Sequence, residues 1–151
     1  MINITHLHPM LVHFPISLLF TSALFDLLSC IAKGKEFQKI GFYLLILGVI
    51  SGIVASGSGL LIEEGIEKSG ISEERIDGHK GFAIGSVAFF AFLLAIRISK
   101  RNNLSKNLFN LYLVLSLAGL VILSFAAYRG GNLVYEYGAA VKQLPAAGQR
   151  K

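Results

Sequence analysis

Residues 40–62, IGFYLLILGVISGIVASGSGLLI, contain no Asp, Glu, Lys or Arg, and this absence of charge indicates the fold class of the chain. The hydrocarbon core of a bilayer is about 30 Å thick, and an α-helix needs roughly 20 apolar residues to cross it. Three further stretches also lack all four charged residue types: 1–25, 81–96 and 107–128. The stretch 81–96 is short, but Lys80 and Arg97 at its ends can extend their charged groups towards the headgroups. The sequence therefore predicts four transmembrane helices.

The composition of the whole chain agrees with a membrane protein. Of the 151 residues, 54% are hydrophobic and 15% charged, whereas a soluble domain has about 25% charged residues. A net charge of +5 would suggest a nucleic-acid partner in a soluble protein. Here the basic residues cluster beside the apolar stretches, where a membrane protein needs them. We therefore predict the lipid bilayer, and no nucleic acid, as a partner. The single Cys30 cannot form an internal disulfide.

The predicted fold is an all-α integral membrane bundle, because an open sheet edge cannot satisfy its hydrogen bonds in lipid. We predict one domain, residues 1–151, in which the chain crosses the membrane four times. The helices are expected at about 9–32, 38–62, 79–98 and 107–128, followed by an outer tail, 129–151.

The distribution of basic residues predicts the orientation of the helices. The loops 33–39 and 97–106 lie on one side of the membrane and carry seven Lys and Arg residues, whereas five lie near the other side. An excess of Lys and Arg marks cytoplasmic loops. We therefore predict a multi-pass protein of the cytoplasmic membrane with both termini outside.

A weak internal repeat suggests that the bundle consists of two helix hairpins. With an offset of 73 residues, GSGLLIEEG at 57–65 aligns with GGNLVYEYG at 130–138, and His6 aligns with His79. Such a repeat predicts two hairpins related by a pseudo-twofold axis along the membrane normal.

All four histidines are expected at the outer side: His6, His8, His13 and His79. The first and third helices run in the same direction, so His79 can approach His13 or His8 across the bundle. Two imidazoles from facing helices are what a b-type haem requires as axial ligands. A metal site of His8, His13 and His79 that holds copper or zinc is the alternative.

Small residues and one arginine complete the predicted site. Gly52 and Gly59 on the second helix and Gly85 on the third would leave room for a haem macrocycle. The alternative for these glycines is plain helix packing, which small residues favour in lipid. Arg129 follows the fourth helix and could bind an anionic group such as a propionate, or it could anchor the helix at the interface.

Asp26 is the only acidic residue inside a predicted helix. A carboxylate within the membrane is costly and usually has a partner, so we expect it to pair with Lys33, Lys35 or a basic residue of the 97–106 loop. A role as a proton relay in metal or solute transport is the alternative, and four helices would need to form a homo-oligomer for that. No nucleophile pattern or phosphate-binding loop is present, so no enzymatic activity is predicted.

The two ends of the chain, HPMLVHFP at 8–15 and GGNLVYEYG at 130–138, resemble a family of bacterial membrane proteins known as domain of unknown function 2231. The resemblance spans nearly the whole chain and implies a four-helix inner-membrane protein. It implies no settled activity, but some members of the family look fused to cytochrome-like domains, which favours a redox function. By position, the motif residues are His8, His13, Gly130, Gly131, Tyr135 and Gly138. The family often has a histidine before the last glycine, where this chain has Tyr137.

The leading hypothesis from the sequence is a small b-type haem protein that transfers electrons, with its site at the outer face. The site would consist of His79 with His13 or His8, and of the glycine faces nearby. Two other hypotheses are a non-catalytic accessory subunit of a larger membrane complex, and the transport of a metal or solute.

Overall fold

The computed structural model describes residues 4–32 and 34–140, with side chains from residue 7 onwards. In these ranges the chain forms five helices: α1 (Ile4–Leu11), α2 (His13–Ala32), α3 (Lys35–Glu67), α4 (Glu73–Ser99) and α5 (Lys106–Tyr135). The short α1 continues into α2, because the Val12 N–H donates to the His8 carbonyl and the Ile16 N–H to the Val12 carbonyl. Four helical segments are therefore long and apolar enough to cross a membrane, which confirms the predicted fold class.

Three helices are longer than the charge-free stretches predict. α3 ends at Glu67 instead of 62, α4 begins at Glu73 instead of 79, and α5 ends at Tyr135 instead of 128. The added turns carry charges, as in the Glu64–Lys68 ion pair of 2.5 Å within α3. An apolar stretch delimits the crossing of the hydrocarbon core, whereas a helix continues into the polar headgroup region. Residues 129–135 therefore belong to α5 and not to the tail, and residues 141–151 lie outside the described part.

The four spanning helices form a ring in which each contacts two neighbours. α2 packs against α3 and α5, and α4 packs against the same two helices, so α2 and α4 face each other diagonally. α1 lies against α3. The centre of the bundle is filled by side chains that are almost completely buried: Leu19, Leu45, Phe90 and Leu93.

The two hairpins, α1–α3 and α4–α5, repeat the same contacts with an offset of 71 residues. Leu19 packs on Gly48 of its own hairpin, where a Cβ would lie 2.6 Å from the Leu19 side chain. Phe90 packs in the same way on Gly119, where the distance would be 2.9 Å. The predicted repeat of two hairpins agrees with this arrangement, but the predicted offset of 73 is wrong. The offset of 73 aligned two glycine-rich helix ends, whereas the packing between helices sets the true register.

We expect Gly48→Ala to destabilise the bundle, because the added methyl group would overlap the buried Leu19. Overpacking a core typically costs about 1–3 kcal/mol, which thermal unfolding in mild detergent would detect. Gly85→Ala is the matched control, since Gly85 is exposed and a Cβ there would meet no atom within 4 Å. An equal loss of stability in both variants would contradict this account of α2–α3 packing.

Candidate functional site

Two histidines meet near one end of the bundle. The ring centroids of His8 on α1 and His79 on α4 lie 6.3 Å apart, and the ring planes make an angle of 75°. The two residues are 71 positions apart and so occupy equivalent places in the two hairpins. The structure therefore pairs His79 with His8, where the sequence left His8 and His13 as alternatives.

Both imidazoles are oriented by a main-chain carbonyl of a helix in the same hairpin, which is α3 for His8 and α5 for His79. His8 Nδ1 lies 3.0 Å from the carbonyl oxygen of Ala55, and His79 Nδ1 lies 3.0 Å from that of Ala126. A carbonyl oxygen can only accept, so the tautomer with Nδ1–H fits both rings. His8 Nδ1 also lies 3.0 Å from Ser58 Oγ, whose hydroxyl donates to the same Ala55 carbonyl. The Nε2 lone pair of each ring then remains available, which is the tautomer that ligates metals.

Each ring also packs against a glycine of the helix that holds it. A Cβ at Gly59 would lie 3.0 Å from His8 Cε1, and one at Gly130 would lie 2.8 Å from His79 Cε1. Such distances are too short for ordinary contacts, so each position needs a residue without a side chain. The glycine and the carbonyl that accepts the hydrogen bond lie one turn apart on the helix and together fix the position of the imidazole.

A cavity of about 380 Å³ surrounds the histidine pair. All four spanning helices contribute to its largely apolar wall, with residues such as Pro15, Gly52, Val87, Leu123 and Ala126. Charged groups line it at Glu63 and Lys80. Lys80 donates to Glu63 at 2.5 Å and pairs with Asp77 at 2.6 Å, so these charges largely neutralise one another.

The remaining predicted site residues fall into two groups. Gly52 and Gly59 line the cavity, as predicted, although Gly59 contacts a histidine ring and Gly52 contacts Val87. His13 also lines the cavity, but its side chain is exposed. Gly85 is exposed and lies outside the cavity wall, because it is on the outward side of α4. The structure therefore corrects its predicted place in the site.

The structure also places Arg129 and the residues of the predicted three-histidine set. The Arg129 guanidinium lies 5.6 Å from the centroid of the Phe82 ring and 5.8 Å from that of Phe125, and Gly78 leaves space for it. Within the part of the chain that the structure describes, no three or more His, Cys, Asp or Glu residues form a metal-binding group. The copper or zinc set of His8, His13 and His79 is therefore not assembled.

A second polar cluster lies at the opposite end of the bundle and centres on an ion pair. Arg97 Nη1 donates to Asp26 Oδ2 at 2.7 Å, and both side chains are 0% exposed. The same guanidinium donates to the Gln38 carbonyl at 2.7 Å and to Asn102 Oδ1 through Nε and Nη2. The Tyr112 hydroxyl donates to Asp26 Oδ2 at 3.1 Å. One arginine thus connects α2, α3 and the turn before α5.

This cluster confirms one expectation from the sequence and corrects another. Asp26 pairs with a basic residue at the start of the 97–106 segment, as predicted. Arg97 does not extend to the headgroups, because a buried carboxylate needs the charge inside the bundle. The sequence did not place Tyr112, near the start of the charge-free stretch 107–128, in this cluster. Its equivalent 71 positions earlier is Gly41, where a Cβ would lie 2.6 Å from Asp26 Oδ1.

Four apolar spanning helices with two buried polar clusters define a multi-pass helical membrane protein. The family described as "Predicted membrane protein (DUF2231)" matches residues 5–143, and the chain belongs to this family. No curated protein and no solved structure matches the chain. Of the motif residues that carry the family resemblance, His8 and Gly130 both lie at the histidine pair, whereas Tyr135 is 89% exposed.

We expect Arg97→Lys to lower stability although it keeps the charge. An ammonium group cannot donate to Asp26, the Gln38 carbonyl and Asn102 with the fixed geometry of a guanidinium, and a buried acceptor left without a donor costs about 1–3 kcal/mol. Thermal unfolding in detergent would measure the loss. Arg101→Lys is the matched control, because Arg101 is exposed. Equal stability of the two variants would refute this role of the guanidinium.

Proposed function

We propose that this membrane protein binds b-type haem between His8 and His79 and transfers electrons. The observation that carries the proposal is the pair of imidazoles with ring centroids 6.3 Å apart at a largely apolar cavity, each with Nδ1 at hydrogen-bond distance from a carbonyl. The macrocycle itself binds the iron, so His8 and His79 would be the protein groups that hold the haem. Two histidines therefore suffice for haem, whereas zinc needs three or four protein ligands.

The separation of the two rings supports one metal ion between them. Metal–imidazole bonds are about 2 Å long, so two rings that ligate one ion from opposite sides have centroids roughly 6 Å apart. The observed 6.3 Å agrees with this value. Haem supplies one-electron chemistry when bound. The chain holds Nδ1 of each imidazole close to a carbonyl, and the wall around the rings is largely apolar.

The position in the cell forms part of the proposal. Basic residues are more numerous beside the ends of α2 and α4 than beside the histidines, and such an excess marks the cytoplasmic side. We propose a bacterial inner-membrane protein with both termini and the histidine pair at the outer side. An electron-transfer partner, either soluble or part of a membrane complex, would then exchange electrons there.

Histidine variants test the haem proposal directly. We expect the protein made with a haem supply to show a Soret band and, after reduction, the sharp α band of a six-coordinate b-type haem. His8→Ala and His79→Ala should each lose six-coordination, since each removes one axial ligand. His13→Ala is the matched control, because His13 is exposed, and its spectrum should equal that of the wild type.

Two outcomes would contradict this proposal. The first is a wild-type protein that shows no Soret band under these conditions, which would favour a non-catalytic accessory role in a membrane complex. The second is a haem spectrum that survives both His8→Ala and His79→Ala.

The glycines that seat the two rings give a second test. We expect Gly130→Ala to weaken haem binding and to broaden the reduced α band, because the methyl group displaces the His79 ring from its carbonyl. Gly59→Ala should act in the same way on His8. Gly57→Ala on the same helix is the control, since a Cβ there meets nothing within 4 Å. Haem titration in detergent would measure all three, and equal affinities would argue against this arrangement.

A further inference from the structure

Equivalent residues of the two hairpins meet on the pseudo-twofold axis at both ends of the bundle. His8 faces His79 at one end, and Asp26 binds Arg97 at the other; each pair is separated by 71 positions. Along each hairpin, the histidine and the charged residue are 18 positions apart, which is about five helical turns, or roughly 27 Å. Equivalent faces of the two hairpins thus meet near both ends of the bundle.

The two hairpins contribute the same residue type to the histidine pair, but different residue types to the ion pair. The first hairpin contributes a short acid, Asp26, which lies against Gly41. The second contributes a long base, Arg97, beside Tyr112, and Tyr112 occupies the position equivalent to Gly41. Both the charge and the size are therefore complementary between the two hairpins.

Pairing of like hairpins would place like charges together in the same buried position. Two first hairpins would bring two copies of Asp26 to the axis, and two second hairpins would bring two copies of Arg97. The histidine pair offers no such discrimination, because either combination would supply two imidazoles. Lipid provides no hydrophobic force between helices, so packing and polar contacts decide which helices associate.

We propose that the Asp26–Arg97 pair is the recognition element by which a first hairpin selects a second hairpin, from its own chain or from a second copy. The hairpins pack more extensively within themselves than against each other. The connection between them, residues 68–72, lies outside the spanning helices. Two chains can therefore exchange hairpins within the plane of the membrane. This inference is independent of haem binding, because it concerns only the end of the bundle opposite to the histidines.

Full-length chains with complementary charge changes test the proposal. Asp26→Arg gives a chain with two arginines at the axis, and Arg97→Asp gives a chain with two carboxylates. Each variant alone should yield folded monomer reduced by at least roughly tenfold, because a buried charge without its partner is strongly destabilising. When the two chains carry different tags and are produced together, the intact Asp26 of one can bind the intact Arg97 of the other. We expect both tags to be recovered in one complex.

Two results would overturn the proposal: wild-type yields of monomer from either variant alone, or tags that fail to co-purify after joint production. A milder variant covers the case in which the charge reversals prevent insertion. Asp26→Asn combined with Arg97→Gln removes both charges, so like hairpins are no longer excluded. Differently tagged copies of this variant should co-purify at least several-fold more than wild-type copies do, and equal co-purification would overturn the proposal.

The matched control is a charge reversal away from the axis. Lys39→Glu changes an exposed residue of α3 whose ion pair is with Glu36 of the same helix. We expect it to leave both the monomer yield and the co-purification of tags as in the wild type. An effect of Lys39→Glu as large as that of Asp26→Arg would overturn the proposal, because the net charge of the chain would then explain the result.

Discussion

The buried contact between Asp26 and Arg97 is the interaction on which the rest of the bundle depends. Both side chains are 0% exposed, and an isolated charge inside a membrane helix is costly, so neither residue can be accommodated unless the other is in place. The pair forms only when α2 and α4 lie diagonally opposite each other in the ring and have one particular position relative to each other along the bundle axis. Since α4, and α2 together with α1, run for about five turns from this pair to the histidines, the same contact also determines the height at which His8 and His79 meet.

At the histidine end, each ring is held by its close contact with a glycine and by its hydrogen bond to a carbonyl, and not by an ion pair. Each imidazole lies against a glycine of its own hairpin and donates to a carbonyl on the same helix as that glycine. These residues are Gly59 and Ala55 for His8, and Gly130 and Ala126 for His79. Every hairpin therefore orients its own ring before the two hairpins meet. Association then needs only to bring two prepared half-sites together, which reduces the conformational entropy that a ligand would have to offset on binding.

The sequence predicted the parts of the structure that depend on hydrophobicity and missed those that depend on packing. Charge-free stretches predicted four helices, and the scarcity of polar residues pointed to the histidines and to Asp26. The true repeat offset is carried by small residues such as Gly48 and Gly119, which are inconspicuous among the many glycines of apolar helices. The direction in which Gly85 or Arg97 points depends on helix rotation, and an all-round apolar helix leaves that rotation unspecified in its sequence.

The polar groups along the axis divide two tasks between the ends of the bundle: the histidine end binds a ligand, and the ion-pair end selects which hairpins associate. A site on a pseudo-twofold axis needs two equivalent ligands, and two such ligands cannot tell one hairpin from the other. The chain therefore needs an element of the opposite kind, with unequal partners, to define which hairpins belong together. Placing that element at the far end of the bundle leaves the histidine end free to keep its symmetry. Leu19 and Phe90, each 1% exposed, fill the space between the two ends, so the ion pair can fix the assembly without exposing its charges to the cavity.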